Sequence, residues 1–504
     1  MQSLATALMN PACYGRDVDE VRLAETHISW VFLTGRYAYK VKKPVKLPFL
    51  DFSTVARRRH FCHEELRLNR RMAPQLYLGV VPIGGSRSSP RVGKKPALEY
   101  AVKMRQFPPD ARLDHRLAAG AVPRSAVTEF AARLAKFHGR LPALDTDPAG
   151  RAAQAAARDN VAALARDARG RRRREIDALR NWIDRETANL ATTFVRRTAG
   201  GAERECHGDL HLENLLWHHG SIVAYDALEF DAALREIDVV SEASFLAMDL
   251  IAHGRPDLAY DFLNRYFEVS GDYTGIDVLR FYLVHRALVR AKVGAIKAAQ
   301  TGHKPRGDRY LDTAFAISRP GTPLLLIAHG LSGSGKTTVT DELVGHLRAL
   351  RVRSDLERKR LHGVNAQTRT GSGVGEGLYV ADATRRTYER LAEIADRALR
   401  HGFSAIVDAT FLKRAERWEF RQVAAVNGAR FAILDCTAPA AELKRRIVAR
   451  DHTGGDASEA TLAVLEHQLA ARDPFDRAER RSALRVDTSR PIQYAKLAKI
   501  LAKR

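Results

Sequence analysis

Two short stretches of the sequence concentrate side chains that can do chemistry, and the first of them is CHGDLHLENLLW. His207, Asp209, His211 and Glu213 alternate along it, and Asn214 follows. On an extended strand the four alternating side chains would share one face, which favours a metal site. The alternative is a phosphotransfer loop of the form H-x-D-x-x-x-x-N. In such a loop Asp209 accepts or orients a hydroxyl group, and Asn214 binds Mg²⁺.

The phosphotransfer interpretation requires partners elsewhere, and the sequence supplies them in the order found in kinases. In SIVAYDALEF, Asp226 follows a largely apolar strand and is predicted to be a second magnesium ligand. Upstream, YAYK supplies a strand lysine, Lys40, although Lys42 competes with it from the same strand face. The next helix supplies Glu64 and Glu65, of which we favour Glu65 as the partner of the lysine. Several elements in this order arise by chance less readily than one motif, so we prefer the phosphotransfer loop.

The second stretch, GLSGSGKTT, fits the phosphate-binding pattern G-x-x-x-x-G-K-[ST] without a mismatch. An apolar strand precedes it and a helical segment follows, as this motif requires. Glycines let backbone N–H groups turn toward phosphate, Lys336 reaches the terminal phosphates, and the Thr337 hydroxyl binds Mg²⁺. The predicted ATP-binding residues of this loop are Gly330, Gly333, Ser334, Gly335, Lys336, Thr337 and Thr338.

Further polar residues follow the next strands of the second half. Asp355 and Arg358 come just after a short strand, where an acid can accept a hydroxyl proton and an arginine can hold a substrate. Asp408 ends an apolar strand and is predicted to orient the magnesium shell. Arg446 and Arg450 lie one turn apart on a helix, where they close over the phosphoryl group or simply form a solvated face.

The pattern of elements divides the chain near the Gly/Pro-containing junction SRPGTP. We expect one domain over residues 1–317, with a small lobe at about 20–107 and a helical large lobe at about 108–317. Its small lobe combines alternating strands with a helix that Ser53 is placed to cap. In residues 318–504 short apolar strands alternate with helices, which predicts an α/β fold with a parallel sheet.

Composition restricts the partners of the protein. Lysine and arginine exceed aspartate and glutamate, giving a formal net charge of +23. Such a surplus attracts polyanions, so nucleic acid is a candidate ligand, as are phosphorylated small molecules. The four cysteines show no metal-binding or disulfide spacing, and we find neither a secretory signal nor an apolar run long enough for a membrane span. We therefore expect a cytoplasmic protein; no oligomeric state follows from the sequence.

Residues 322–504 resemble the P-loop kinases that include gluconate kinases, zeta-toxin-like kinases and the kinase module of polynucleotide kinases. The matching residues are GLSGSGKTT, SDLERK, VDATF and LKRRIVAR. In polynucleotide kinases a D-x-x-R element activates and holds the acceptor hydroxyl, which assigns that role here to Asp355 and Arg358.

Residues from about 20 to 315 resemble the aminoglycoside phosphotransferase and choline kinase branch of the protein-kinase-like fold. The motif H-G-D-x-H-x-x-N of that branch matches from His207 to Asn214. The resemblance implies an α+β bilobal fold, a structural role for His211, and a helix-anchoring role for Asp238. Two departures are evident: the turn near AETHIS has no glycine, and Asp226-Ala-Leu replaces the D-F-G of protein kinases.

The whole arrangement resembles a bacterial family that fuses an aminoglycoside-phosphotransferase-like region to an ATP-binding region. The leading hypothesis is a Mg-ATP-dependent phosphotransferase with two kinase-type modules, each transferring a γ-phosphoryl to a hydroxyl. The expected acceptor, in at least one half of the chain, is a small sugar-like or aminocyclitol-like molecule. Two alternatives stay open, a 5′-hydroxyl polynucleotide kinase and an ATPase in which one module regulates the other.

Overall fold

The computed structural model describes residues 2–47, 50–144, 150–166, 168–301, 308–364, 380–453 and 461–503. The chain divides into two compact units. Unit 1 contains Met1–Phe130, Arg140–Ala152 and Phe194–Asp249. Unit 2 contains Ala131–Gly139, Ala153–Thr193 and Leu250–Arg504. None of the described helices is long and apolar enough to cross a membrane.

The described regular elements are numbered in chain order. The strands are β1 (Arg22–Glu25), β2 (Ser29–Leu33), β3 (Tyr37–Lys42), β4 (Lys46–Leu47), β5 (Leu50–Asp51), β6 (Tyr77–Gly85), β7 (Pro90–Val92), β8 (Ala97–Arg105), β9 (Glu203–Glu205), β10 (Leu215–His218), β11 (Ser221–Ala224), β12 (Glu236–Asp238), β13 (Leu324–His329), β14 (Ala349–Arg353), β15 (Ser404–Asp408), β16 (Arg430–Thr437) and β17 (Ala483–Asp487). The helices are α1 (Gln2–Ala7), α2 (Val55–Arg70), α3 (Leu113–Ala118), α4 (Arg124–Arg140), α5 (Arg151–Ala165), α6 (Gly170–Asn189), α7 (Ala191–Ala199), α8 (Val239–Ala252), α9 (Pro256–Ser270), α10 (Ile276–Thr301), α11 (Asp308–Ile317), α12 (Lys336–Leu347), α13 (Ser354–Leu361), α14 (Ala381–Arg400), α15 (Arg414–Val426), α16 (Ala440–Thr453), α17 (Leu462–Ala471), α18 (Arg477–Ser482) and α19 (Tyr494–Leu501).

Unit 1 begins with a six-stranded antiparallel sheet in the order β1-β2-β3-β8-β6-β7. Side chains alternate between the faces of a strand, and β3 shows this clearly. Tyr39 and Val41 pack into an apolar cluster with α1, whereas Ala38 packs with Cys62 of α2 on the opposite face. Lys40 and Lys42 share the face of Ala38, so both lysines point toward α2.

The predicted helix is present, but its cap is one residue later than expected. Thr54 has extended backbone angles, and its hydroxyl accepts a hydrogen bond from the N–H of Arg57 at 3.2 Å. The hydroxyl of Ser53 instead lies 2.6 Å from Oδ1 of Asp51, in the turn before the helix. The assignment of Ser53 as the cap was therefore wrong.

The stretch from Cys206 to Asn214 is not a strand. It runs as an irregular loop from the end of β9 and closes with a single 3₁₀ turn at Leu212–Asn214. The four alternating side chains consequently do not share a strand face, and the metal interpretation built on that face was wrong. Buried Leu210 and Leu212 anchor the loop instead.

A five-stranded parallel sheet forms the centre of unit 2, as predicted, in the order β14-β15-β13-β16-β17. Helices connect the strands, and an apolar core lies between sheet and helices. Its members include Leu324, Leu326, Val339, Leu343, Ile406, Leu434 and Leu501. Because the strands are parallel, the segments that follow β13, β14 and β15 all begin at one edge of the sheet. That edge is where ligands bind in such sheets.

Strand β14 lies at one end of this sheet order, and α9 covers it. The side-chain amide of Asn264 donates to the carbonyl of Ala349 at 2.8 Å, and its oxygen accepts from the N–H of Arg351. The guanidinium of Arg351 is buried and lies 2.9 Å from a carboxylate oxygen of Glu268. The side chain of Asn264 therefore forms the hydrogen bonds to the backbone of β14 that a neighbouring strand would otherwise form.

Candidate active sites

The first candidate site lies in unit 1, where β3 and α2 bring a lysine and a glutamate together. The ammonium nitrogen of Lys40 is 2.9 Å from Oε1 of Glu65. Burial alone would raise the pKa of Glu65, but the ammonium groups of Lys40 and Lys42 outweigh it and lower the pKa. Glu64, the other candidate, pairs with Arg67 at the surface instead. The preference for Glu65 over Glu64 as the partner of Lys40 agrees with this geometry.

Asp226 lies beside this pair. Its Oδ1 is 2.5 Å from the ammonium of Lys40, and its backbone N–H donates to the hydroxyl of Tyr77 at 3.0 Å. The residue has a φ of 63°, in the left-handed region that few non-glycine residues occupy. Such backbone strain is concentrated at functional sites, which supports Asp226 as a candidate site residue.

A hairpin brings the loop of Asp209 to the same place. Leu215 of β10 pairs with Ala224 of β11, so the residues just outside the hairpin, Asn214 and Tyr225, also face each other. The N–H of Tyr225 donates to the carbonyl of Asn214 at 3.0 Å. Asp226 is the next residue, and the predicted magnesium ligands Asn214 and Asp226 are therefore neighbours at one end of this hairpin.

Asp209 is held by two side chains of its own loop. The amide of Asn214 donates to Oδ2 of Asp209 at 2.9 Å, and Nε2 of His211 lies 3.2 Å from the same oxygen. The aspartate remains partly exposed, while His211 is buried. His207 is buried too, and that burial lowers its pKa in spite of neighbouring carboxylates. The ring nitrogens of His207 face backbone groups, at 2.9 Å from the carbonyl oxygen of Tyr225 and 3.4 Å from the backbone nitrogen of Asp209, so the partly exposed carboxylate of Asp209 is the more accessible proton acceptor.

Two buried acids of α8 anchor the backbone of this loop, and sequence analysis missed them. Glu242 accepts from the N–H of Gly208 at 2.7 Å, and Asp249 accepts from that of Leu212 at 2.8 Å. Asp238, expected to anchor a helix, accepts from the N–H of Val240 at the start of α8. Acids inside an otherwise apolar helix were the sequence signal for this role.

The second candidate site lies in unit 2, at the loop between β13 and α12. Gly330, Gly333 and Gly335 have φ values of 143°, 79° and 80°, all in a region that favours glycine. A Cβ atom on Gly330 would lie less than 3.0 Å from the carbonyl oxygen of Cys436, and one on Gly333 would lie 2.8 Å from that of Leu443. The loop backbone therefore packs directly on its neighbours, and only glycine fits at these positions.

The remaining loop residues surround the start of α12. The ammonium of Lys336 donates to the carbonyls of Gly330 and Leu331 at 2.8 and 2.9 Å. The hydroxyl of Ser334 is buried and has no hydrogen-bond partner within the described residues. Thr337 and Thr338 lie in the first helical turn, where backbone N–H groups lack partners within the helix. An unsatisfied hydroxyl, the N–H groups of a helix N-terminus and a lysine fit a bound phosphate.

Oxygen and arginine side chains follow the adjacent strands. Asp408 ends β15, is buried, and lies 3.2 Å from the hydroxyl of Thr340. Asp355 is half-buried in the first turn of α13, directly after β14. Arg358, one turn later, donates to the hydroxyl of Thr384 at 3.1 Å. Carboxylate and hydroxyl oxygens are ligands that Mg²⁺ prefers, so Asp408 and Thr337 fit that ion.

Of the two predicted lid arginines, Arg446 contacts the phosphate loop. Its guanidinium lies 3.3 Å from the carbonyl of Gly333 and 2.9 Å from the hydroxyl of Thr488. It also pairs with Glu442 on its own helix, so it is not simply part of a solvated face. Arg450 lies on the same helix, and its side chain is outside the described part of the structure.

Both regions are similar to known proteins. The model of the phosphotransferase enzyme family matches residues 54–225, and that of an AAA domain matches residues 325–475. A choline/ethanolamine kinase family protein from Mesorhizobium loti aligns with 63% of this chain and 92% of its own, at 14% identity and a TM-score of 0.39. A sugar kinase from Janibacter sp. HTCC2649 aligns with 36% of this chain and 95% of its own, at 21% identity and a TM-score of 0.27.

The family models and the sites define the class of protein. An aminoglycoside-phosphotransferase-like kinase region precedes a P-loop kinase region, and the chain is an ATP-dependent kinase. The uncharacterized protein Rv2004c of Mycobacterium tuberculosis is 32% identical over 480 residues, covering 94% of this chain and 93% of the relative. The chain belongs to the same family as this mycobacterial protein.

Proposed function

We propose that both regions are Mg-ATP-dependent phosphotransferases that phosphorylate hydroxyl groups of small sugar-like or aminocyclitol-like molecules. The main support is the group formed by Lys40, Glu65 and Asp226 beside the Asp209 loop. These residues come from β3, α2 and the loops on either side of the β10–β11 hairpin. These segments are far apart in the sequence, and the fold brings their side chains together at one place.

In unit 1 each side chain has a separate task. Lys40, oriented by Glu65, neutralises phosphate oxygens, while Asn214 and Asp226 hold Mg²⁺. Asp209, kept in place by Asn214 and His211, takes up the proton of the acceptor hydroxyl. When bound, Mg-ATP supplies the phosphoryl group.

In unit 2 the loop from Gly330 to Thr338 cradles phosphate oxygens through its backbone and Lys336. Thr337 and Asp408 are the proposed magnesium ligands. Asp355 takes up the acceptor proton, and Arg358 holds an anionic part of the acceptor or the phosphoryl group. Arg446 and Arg450 stabilise negative charge that develops on the transferring group.

The test is ADP release by the full-length chain against three panels of acceptors: sugars, aminocyclitols, and oligonucleotides with a 5′-hydroxyl. We expect a sugar or an aminocyclitol to stimulate release. Asp209→Asn is expected to reduce stimulation by the acceptor of unit 1 by about 10²-fold or more. Asp355→Asn is expected to reduce stimulation by the acceptor of unit 2 by the same factor. Exposed Asp17 provides the matched control, Asp17→Asn.

Three outcomes separate the hypotheses. If an oligonucleotide alone stimulates release through Asp355, unit 2 is a polynucleotide kinase. If Asp209→Asn has no effect on any acceptor while Lys336→Ala abolishes all release, unit 1 is regulatory. If no acceptor stimulates release and neither aspartate variant differs from Asp17→Asn, the proposal is wrong.

A further inference from the structure

Strand β3 has a second buried lysine, which the proposed reaction does not use. The ammonium of Lys42 is 2.7 Å from Oε2 of Glu65 and also pairs with Glu229. Glu229 lies three residues after Asp226 and is buried, which raises its pKa. Glu65 therefore lies between two lysines that come from one strand face.

Exposure distinguishes the two ends of this cluster. The side chains of Lys42 and Glu65 are 0% exposed and that of Glu229 is 4% exposed. At the other end, Lys40 is 11% exposed and Asp226 is 43% exposed. A nucleotide and its metal can therefore approach Lys40 and Asp226, but they cannot reach Lys42 without opening the core.

Hydrogen-bond geometry also differs between the lysines. Lys42 donates to Oε2 of Glu65 and to Glu229, whereas the hydrogen bond of Lys40 goes to Asp226. Oε1 of Glu65 is close to Lys40 but receives no well-aligned hydrogen bond from the described residues. Lys42 thus holds Oε2 of the glutamate from the buried side, while Lys40 lies between Oε1 of the glutamate and Asp226.

We propose that Lys42 is a positioning residue for phosphoryl transfer in unit 1, acting through Glu65. It joins β3, the glutamate of α2 and the loop that follows Asp226. With Glu65 fixed from the buried side, Lys40 can exchange Asp226 for phosphate without leaving the glutamate unpaired. This inference rests on the proposed function of unit 1.

The decisive variant is Lys42→Met/Glu229→Met. Wild type has two lysines and three carboxylates in the cluster, and the double variant has one lysine and two carboxylates, so the formal charge stays at −1. Replacing a buried ion pair by apolar side chains is often neutral for stability, and methionine adapts to irregular gaps. A merely structural Lys42 would therefore be dispensable in this variant.

The measurements use the full-length chain with Lys336→Ala, which silences the second site, and record ADP release from Mg-ATP with water as the acceptor. We expect the double variant to melt within about 3 °C of this background and to release ADP about 10²-fold more slowly. Lys42→Met alone is expected to melt about 10 °C lower, because it leaves Glu229 buried and unpaired. Exposed Lys46 provides the matched control, Lys46→Met.

Glu229→Gln is the second variant, and it retains the ion pair between Lys42 and Glu65. Release within about threefold of the background is expected for it, and a 10²-fold loss would overturn the role of Lys42. Full activity of a stable double variant would overturn it too. Lys40→Met reports on the proposed function itself: if it releases ADP as fast as the background, unit 1 is not a kinase and the inference falls with it.

Discussion

Gly330→Ala is expected to disable nucleotide binding in unit 2 without unfolding it. The residue has a φ of 143°, and its new Cβ would lie less than 3.0 Å from the carbonyl oxygen of Cys436 and 2.7 Å from Oγ of Ser334. The serine can rotate, but the carbonyl belongs to β16 and is fixed by the sheet. The loop must then move by about 0.5–1 Å to reach an ordinary contact distance.

The magnitude follows from what the loop does. An alanine at this φ costs about 1–3 kcal/mol in strain, which is less than the free energy of unfolding of a typical domain. A displaced backbone also loses one or two hydrogen bonds to phosphate, each worth about 1.5–3 kcal/mol because the acceptor is charged. Binding of Mg-ADP should therefore weaken by about 10²-fold.

The assay is titration of Mg-ADP by calorimetry into full-length protein carrying Lys40→Met, which removes the proposed phosphate-binding lysine of unit 1. Gly321→Ala is the control, because nothing lies within 4 Å of a Cβ at that position. Circular dichroism verifies that both variants are folded. Equal affinity of the two variants, within about threefold, would refute the packing argument for the loop.

The remaining predictions concern stability. Glu268→Leu should destabilise unit 2 by about 1–3 kcal/mol in chemical unfolding, because buried Arg351 loses Glu268 and keeps the more exposed Asp341 as a partner. Glu268→Leu/Arg351→Met should destabilise it less, because it removes the buried charge together with its partner. The hydrogen bond from Arg67 lowers the pKa of Glu205 to about 2. Its contribution is therefore complete above about pH 4.3 and is lost as the pH falls toward 2, so melting curves of wild type and Glu205→Gln should converge there, from a difference of about 1–2 kcal/mol. Burial lowers the pKa of His285 to about 3, so acidification from pH 6.5 to 3 favours the unfolded state, which takes up the proton. His285→Leu should remove that part of the pH dependence of unfolding, and an unchanged slope would contradict the assignment.

The sequence predicted the elements whose signal is local. The phosphate loop has fixed spacing and flanking elements, and strand alternation placed Lys40 and Lys42 on one face. Strand alternation did not show which carboxylates pair with which lysine, because the turn at Asp226 is what brings Glu229 to Lys42. The cap at Thr54 was missed by one residue, because serine and threonine are both good capping residues. The hydroxyl of Ser53 contacts Asp51 in the structure, and the sequence does not show that contact.

The metal interpretation was wrong because alternation of polar and apolar residues does not by itself make a strand. Leucines at 210 and 212 alternate with the polar residues, as in an amphipathic strand, but both are buried in a loop that acids of α8 hold. Periodicity identifies which side chains are buried and says nothing about distant partners of the backbone. The contacts of Asn264 and Arg351 in unit 2 were unpredictable in the same way.

The amide of Asn264 has a consequence for dissecting the protein. It satisfies β14 as a neighbouring peptide group would, yet it lies more than fifty residues before the sequence junction that precedes the phosphate loop. A fragment cut at that junction would present a bare strand to solvent, and bare strands recruit other chains. Truncations intended to isolate the P-loop kinase should therefore retain α9, or they will yield aggregates that are mistaken for an inactive enzyme.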